Sequence, residues 1–156
     1  MTCAGTLKKD DSTRSCVATC PNLYDPTTDR CVDVCPRYSS SGNLFADLTT
    51  NNCVVGSSCP ANTYIDYDSN TCVSLCPNGT YYYQSECVYH CPHDYFIDAS
   101  TQSCVSAMDC PANEYADNQT RSCVTQCRGT FAKTDIKRCI DVCYANTYGD
   151  PFTFKC

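Results

Sequence analysis

Apolar and polar positions in this chain alternate only in brief bursts, and the bursts recur at a short, nearly regular interval. Each begins after a cysteine, and most have an aromatic residue four or five places on: Tyr24, Tyr64, Tyr81, Tyr95, Tyr115, Phe131 and Tyr148. Polar turn formers follow, Asp25-Pro26 and Asp68-Ser69-Asn70 among them, with a Ser or Thr three places before most of the cysteines that end a burst. Directly after the closing cysteine stands Val17, Val32, Val54, Val73, Val88, Val105, Val124 or Ile140. Aromatic and β-branched residues bracketing a polar turn predict two short strands, an irregular β-hairpin. No window carries the i, i+3, i+4, i+7 apolar spacing of a helix. Pro21, Pro36, Pro60, Pro77, Pro92 and Pro111 follow opening cysteines, where a fixed φ and a missing N–H suit the start of an edge strand.

Counted as opening and closing cysteines, the repeats number nine: Cys3 with Cys16, Cys20 with Cys31, Cys35 with Cys53, Cys59 with Cys72, Cys76 with Cys87, Cys91 with Cys104, Cys110 with Cys123, Cys127 with Cys139, and Cys143 with Cys156. Most linkers have three residues, but Cys53 to Cys59 and Cys104 to Cys110 enclose five, which groups the repeats in threes. Residues away from the cysteines keep that period, since Ser12-Thr13-Arg14-Ser15 is similar to Gln119-Thr120-Arg121-Ser122, and Arg30-Cys31-Val32-Asp33-Val34 to Arg138-Cys139-Ile140-Asp141-Val142. Three six-cysteine modules result, 1–58, 59–109 and 110–156. The third repeat is the longest and holds the run Ser39-Ser40-Ser41-Gly42-Asn43, read as an exposed insertion. Such short periods define arrays whose repeats bury surface only against neighbours.

Composition changes the picture by removing the ordinary core. Ile, Leu, Val and Phe fill only 24 of 156 positions, whereas cysteine fills 18. A chain this poor in large apolar residues orders itself through covalent cross-links, which places it in an oxidising compartment, secreted or at a cell surface. Pairing within each repeat is the preferred connectivity, because ten to twelve intervening residues let two cysteines face each other across a hairpin; each closure contributes about 3 kcal/mol in the chain-entropy model. An interlocked pattern, first with third and second with fourth, stays open within each six-cysteine module. The expected fold is small and disulfide-rich: nine short irregular β-hairpins in tandem, an elongated rod with little or no helix. The net charge of −6 offers no footprint for nucleic acid, and no stretch is long and apolar enough to insert in a membrane. With no apolar signal region before Cys3, the export signal is expected outside this sequence, and the chain is expected to be part of a longer array.

Candidate chemistry is sparse. Zinc sites space paired ligands as C-x2-C or C-x4-C, which an unbroken C-x3-C-P does not supply, so no metal or cofactor is expected. His90 and His93 flank Cys91, but a nucleophilic thiol must be free and Cys91 occupies a repeat position shared by eight others. Asp66 and Asp68 form a pair with too few oxygens for calcium and are expected to be solvated turn residues. Asn78-Gly79-Thr80 and Asn118-Gln119-Thr120 are N-glycosylation sequons in polar loops. One tyrosine per repeat is expected to pack against a disulfide and a Val, while Tyr81-Tyr82-Tyr83 could instead face a partner.

The recurring C-V-x3-C-P-x3-Y, seen in Cys72-Val73-Ser74-Leu75-Cys76-Pro77 and Cys87-Val88-Tyr89-His90-Cys91-Pro92, resembles the furin-like repeat of the growth-factor-receptor cysteine-rich superfamily, variants of which are abundant in protist, notably ciliate, surface proteins. The usual C-x2-C element is absent. The resemblance implies a rod of disulfide-linked modules without catalytic residues. The expected function is a non-catalytic extracellular structural or adhesive array, a segment of a glycosylated surface coat or filament that self-associates end to end. The alternative is a ligand-binding receptor ectodomain, contacted through the third repeat's long loop and Tyr81 to Tyr83.

Overall fold

In six repeats the Val or Ile after the closing cysteine finds an apolar partner eight places before that cysteine. In the computed structural model, which describes residues 3–38, 42–144 and 147–156, Leu23 lies opposite Val32, Phe45 opposite Val54, Tyr64 opposite Val73, Phe96 opposite Val105, Tyr115 opposite Val124 and Phe131 opposite Ile140. These aromatic–aliphatic and aliphatic pairs are the units that stabilise an antiparallel ladder, and they explain why the recurring Val is there. Sixteen short strands form, in hairpin pairs, with two single 3₁₀ turns as the helical content among the described residues.

Two compact units make up the chain: Met1–Cys76 with Ser85–Cys87, and Pro77–Gln84 with Val88–Cys156. The first holds hairpins β1 (Lys8–Asp10) with β2 (Ser15–Val17), β3 (Leu23–Asp25) with β4 (Arg30–Val32), β5 (Leu44–Asp47) with β6 (Asn52–Val55) and β7 (Tyr64–Asp66) with β8 (Thr71–Val73). Each hairpin lays its second strand parallel to the first strand of the hairpin before it, so the strand order is β7-β8-β5-β6-β3-β4-β1-β2. The second unit repeats the scheme with β9 (Tyr81–Tyr83), β11 (Tyr95–Asp98) with β12 (Ser103–Ser106), β13 (Tyr115–Asp117) with β14 (Ser122–Val124), and β15 (Phe131–Lys133) with β16 (Arg138–Ile140), ordered β15-β16-β13-β14-β11-β12-β9. Strand β10 (Glu86–Val88) pairs in parallel with β7 through Glu86 and Ile65. The ninth repeat keeps only isolated bridges, Ala132 to Lys155 and Asp150 to Lys155.

Every opening cysteine is bridged to its own closing cysteine, with Cα atoms 5.3 to 5.7 Å apart, and no cysteine is free. The disulfides are themselves core. In the first unit Leu23 and Val32 pack on Cys35 and Cys53 of the following repeat, and Phe45 and Val54 on Cys59 and Cys72. In the second, Phe96 and Val105 pack on Cys110 and Cys123, and Tyr115 and Val124 on Cys127 and Cys139. At these four junctions apolar area thus comes out of water between successive hairpins rather than in one central core.

The two five-residue linkers carry the 3₁₀ turns, Gly56–Ser58 and Ala107–Asp109. They differ by a compensated exchange. A Cβ on Gly56 would stand 2.5 Å from Ile65 Cδ1 and 3.3 Å from the Phe45 ring, so glycine is required by close approach. At the matching site Ala107 fits, buried with Phe96, because Ala116 stands where Ile65 does.

Two expectations are corrected. The prolines do not start strands: the carbonyls of Pro60, Pro77, Pro92 and Pro111 each accept the N–H three residues on, closing a β-turn before the strand. The residue before each donor, Asn62, Gly79, Asp94 or Asn113, has φ between 63° and 87°, the region that glycine and Asn/Asp tolerate best. Tyr148 does not pack as the other aromatics do and is 89 % exposed. The run Ser39 to Ser41 of the third repeat lies outside the described residues.

Candidate functional site

What recurs most faithfully is a polar turn anchored by an aspartate six places before the closing cysteine: Asp10, Asp25, Asp47, Asp66, Asp98, Asp117 and Asp150. In the commonest form Oδ1 accepts the N–H and hydroxyl two residues on and Oδ2 the hydroxyl three residues on, as Asp25 does from Thr27 and Thr28, Asp47 from Thr49 and Thr50, and Asp98 from Ser100 and Thr101. Asp25 is 1 % exposed. Burial pushes the Asp25, Asp47 and Asp98 carboxyls up, but the hydrogen bonds outweigh it and hold all three below the ordinary carboxylate range. Hydrogen bonds from Ser12 and Thr13 do the same for Asp10, and the Phe152 N–H leads the downward shift at Asp150.

Two places before the closing cysteine, in these seven repeats and in the eighth, where Lys133 stands at the aspartate position, comes a left-handed residue: Arg14, Asp29, Asn51, Asn70, Gln102, Arg121, Lys137 and Phe154 all have φ between 48° and 57°. For non-glycine residues the conformation is disfavoured, and the payoff is a carbonyl turned toward the preceding repeat. In the first unit the N–H groups of Lys9, Tyr24 and Ala46 donate to the carbonyls of Asp29, Asn51 and Asn70; in the second, those of Tyr82, Ile97, Ala116 and Ala132 donate to Gln102, Arg121, Lys137 and Phe154. In the tight fifth hairpin, Ser85 supplies the carbonyl, to Ile65 N–H.

Four of these residues add a side-chain bond to the same neighbour. Asn70 Nδ2 donates to Cys35 O at 2.8 Å, Gln102 Nε2 to Thr80 O at 2.8 Å and Pro77 O at 3.2 Å, Arg121 to Pro92 O at 2.7 Å, and Lys137 Nζ to Pro111 O at 3.0 Å and to Cys110 O. Backbone and side chain of one residue therefore tie each of these repeats to the opening Cys-Pro segment, or at Asn70 the opening cysteine, of the repeat before it. The Arg121 and Arg138 guanidinium carbons also lie 5.4 Å from the centroid of the fully buried Phe96 ring.

The residues singled out from sequence fall as follows. Cys91 is bonded to Cys104, and His90 and His93 are exposed, with His93 Nδ1 2.9 Å from Asp94 Oδ2. Asp66 is a correction: rather than a solvated turn residue it is 4 % exposed and takes hydrogen bonds from Asp68 N–H and Ser69. Asn78 and Asn118 are exposed. Tyr81, Tyr82 and Tyr83 form β9 and are half-buried, with the Tyr83 ring edge-on to Tyr95 at 4.9 Å. Among the described residues, no group of three or more His, Cys, Asp or Glu could hold a metal ion, and no helix is long and apolar enough to cross a membrane. No family model and no curated protein matches the chain.

The aspartate turn and the left-handed residue were the features that pattern reading missed. The aspartate was recoverable, since counting back from the closing cysteine aligns it in seven repeats. The left-handed residue was not. Its carbonyl does the coupling, so Arg, Asp, Asn, Gln, Lys and Phe all serve.

Proposed function

We propose that the chain is a non-catalytic structural or adhesive array of furin-like character, part of an extracellular or cell-surface protein, with N-linked sugar on Asn78 and Asn118 and the capacity to add end to end to further copies. Nine disulfides fit an oxidising, extracellular environment. The observation that carries the reading is the uniform coupling of repeat to repeat: the same carbonyl-to-N–H rung recurs through both compact units. Such a rule extends by simple addition, which suits a load-bearing or spacing element. An exposed sheet edge with unpaired N–H and C=O groups is also a template for pairing with another chain.

Immunolabelling of intact, unpermeabilised cells of the native source tests localisation, with surface label expected; label only after permeabilisation overturns it. Sedimentation velocity over a wide concentration range tests assembly, with reversible growth expected and a fixed monomer at all concentrations overturning it.

A further inference from the structure

A groove in the second unit lies between the turn after β13 and the end of β16. It measures about 490 Å³, and Asn118, Thr130, Ile140, Asp141, Val142 and Tyr144 are among its walls. The first unit has its counterpart between the turn after β1 and the end of β4, lined by Asp11, Asn22, Val32 and Asp33 and measuring 280 Å³. Asn22 and Thr130 occupy the same place, nine residues before their closing cysteines. The longer Asn22 spans its groove, with Nδ2 2.7 Å from Asp33 Oδ1. Thr130 does not reach Asp141. Among the described residues its hydroxyl is buried without a hydrogen-bond partner, and the Asp141 side chain makes no hydrogen bond either. A buried polar group left unpaired costs free energy.

Three further facts say what fits there. Val142 and Tyr144 are 67 % and 62 % exposed beside the groove, giving it an apolar wall with an aromatic face. Asp141 offers carboxylate acceptors for hydroxyl donors. Asn118, a sequon asparagine whose side chain is exposed, is itself part of the rim, where the first unit has Asp11. An aromatic face next to hydrogen-bonding groups is the chemistry that holds a pyranose ring, whose C–H face stacks on the aromatic while its hydroxyls bond to the polar rim.

We propose that this groove seats the inner N-acetylglucosamine residues of a glycan carried on Asn118, the sugar covering Val142 and Tyr144 and bonding to Asp141. The inference rests on the reading of the chain as a secreted glycoprotein. Attachment at the rim makes the docking intramolecular, so even a weak contact is populated.

The test uses the whole chain secreted from a eukaryotic host, with occupancy of Asn118 read by peptide mass. Nitration of Tyr144 by tetranitromethane is then compared between the glycosylated protein, trimmed to its first sugar, and Asn118→Gln. Nitration of Tyr144 several-fold slower with the sugar is expected, while the 89 % exposed Tyr148 reacts equally in both. Thr130→Asn, which restores the bond across the groove to Asp141, should return Tyr144 in the glycosylated protein toward the sugar-free rate. Equal Tyr144 rates with Asn118 occupied overturn the docking and leave the glycoprotein reading standing. An Asn118 without sugar overturns both.

Discussion

At the scale of the residue, small hydrogen-bonded polar turns contribute to stability beside apolar contact. The Asp10, Asp25, Asp47, Asp98 and Asp150 carboxyls are all held below their ordinary range. A carboxyl whose folded pKa lies below its unfolded value of about 3.9 contributes stability that is fully present above that value and is lost as pH falls through the folded pKa. Thermal unfolding with disulfides intact should therefore change little between pH 7 and 5 and drop steadily below about pH 4; a flat profile down to pH 2 would refute the role assigned to these turns. Two threonines give a sharper contrast. Thr80 donates its hydroxyl to Pro77 O at 2.8 Å, whereas the Thr130 hydroxyl is buried unpaired. In the sugar-free protein Thr80→Val should cost about 1 kcal/mol and Thr130→Val should be neutral or stabilising by about as much, measured by denaturant unfolding.

Hairpins are the element of this fold, and their joints show how tightly one conditions the next. Gly56 and Ile65 are exchanged for Ala107 and Ala116 at equivalent joints. Gly56→Ala should destabilise by about 1–3 kcal/mol through overpacking. Ile65→Val, which removes the methyl in the way, should recover about 1 kcal/mol of that in the double variant; strict additivity would show that the joint does not transmit the clash. The hairpins and their cross-links were legible in the sequence because cysteine, Val and proline recur with little chemical variation. The buried Phe45 and Phe96 were not picked out. Counting forward from the opening cysteine, as in the aromatic set, misses Phe45, because the inserted residues of the third repeat displace it, and settles on Tyr95 one place ahead of Phe96; counting back from the closing cysteine places both opposite the recurring Val. The groove beside Asn118 was invisible for a related reason, since it depends on Thr130 failing to reach a residue eleven positions later.

For the molecule as a whole, cross-links that stay within repeats predict that damage stays local. Replacing Cys110 and Cys123 together with Ser should remove about 3 kcal/mol of local stability. Hydrogen exchange should then rise in the flanking hairpins β11 to β16 and leave the first compact unit at its native protection; loss of protection throughout the chain would mean that the repeats act as one cooperative block.

The inter-repeat rung also has a direction. In the rung made by the left-handed residue the donor N–H belongs to the earlier repeat and the acceptor carbonyl to the later one, while at the chain's last junction Cys156 N–H also donates back to Ala132 O. As the chain is delivered from its N-terminus at about 5–20 residues per second, a hairpin can oxidise its own cysteines as soon as it emerges, yet its outermost N–H stays unanswered until the next left-handed residue arrives. Maturation therefore runs one step behind synthesis, each newcomer completing its predecessor, and a stalled chain would carry its unfinished edge only at the trailing end.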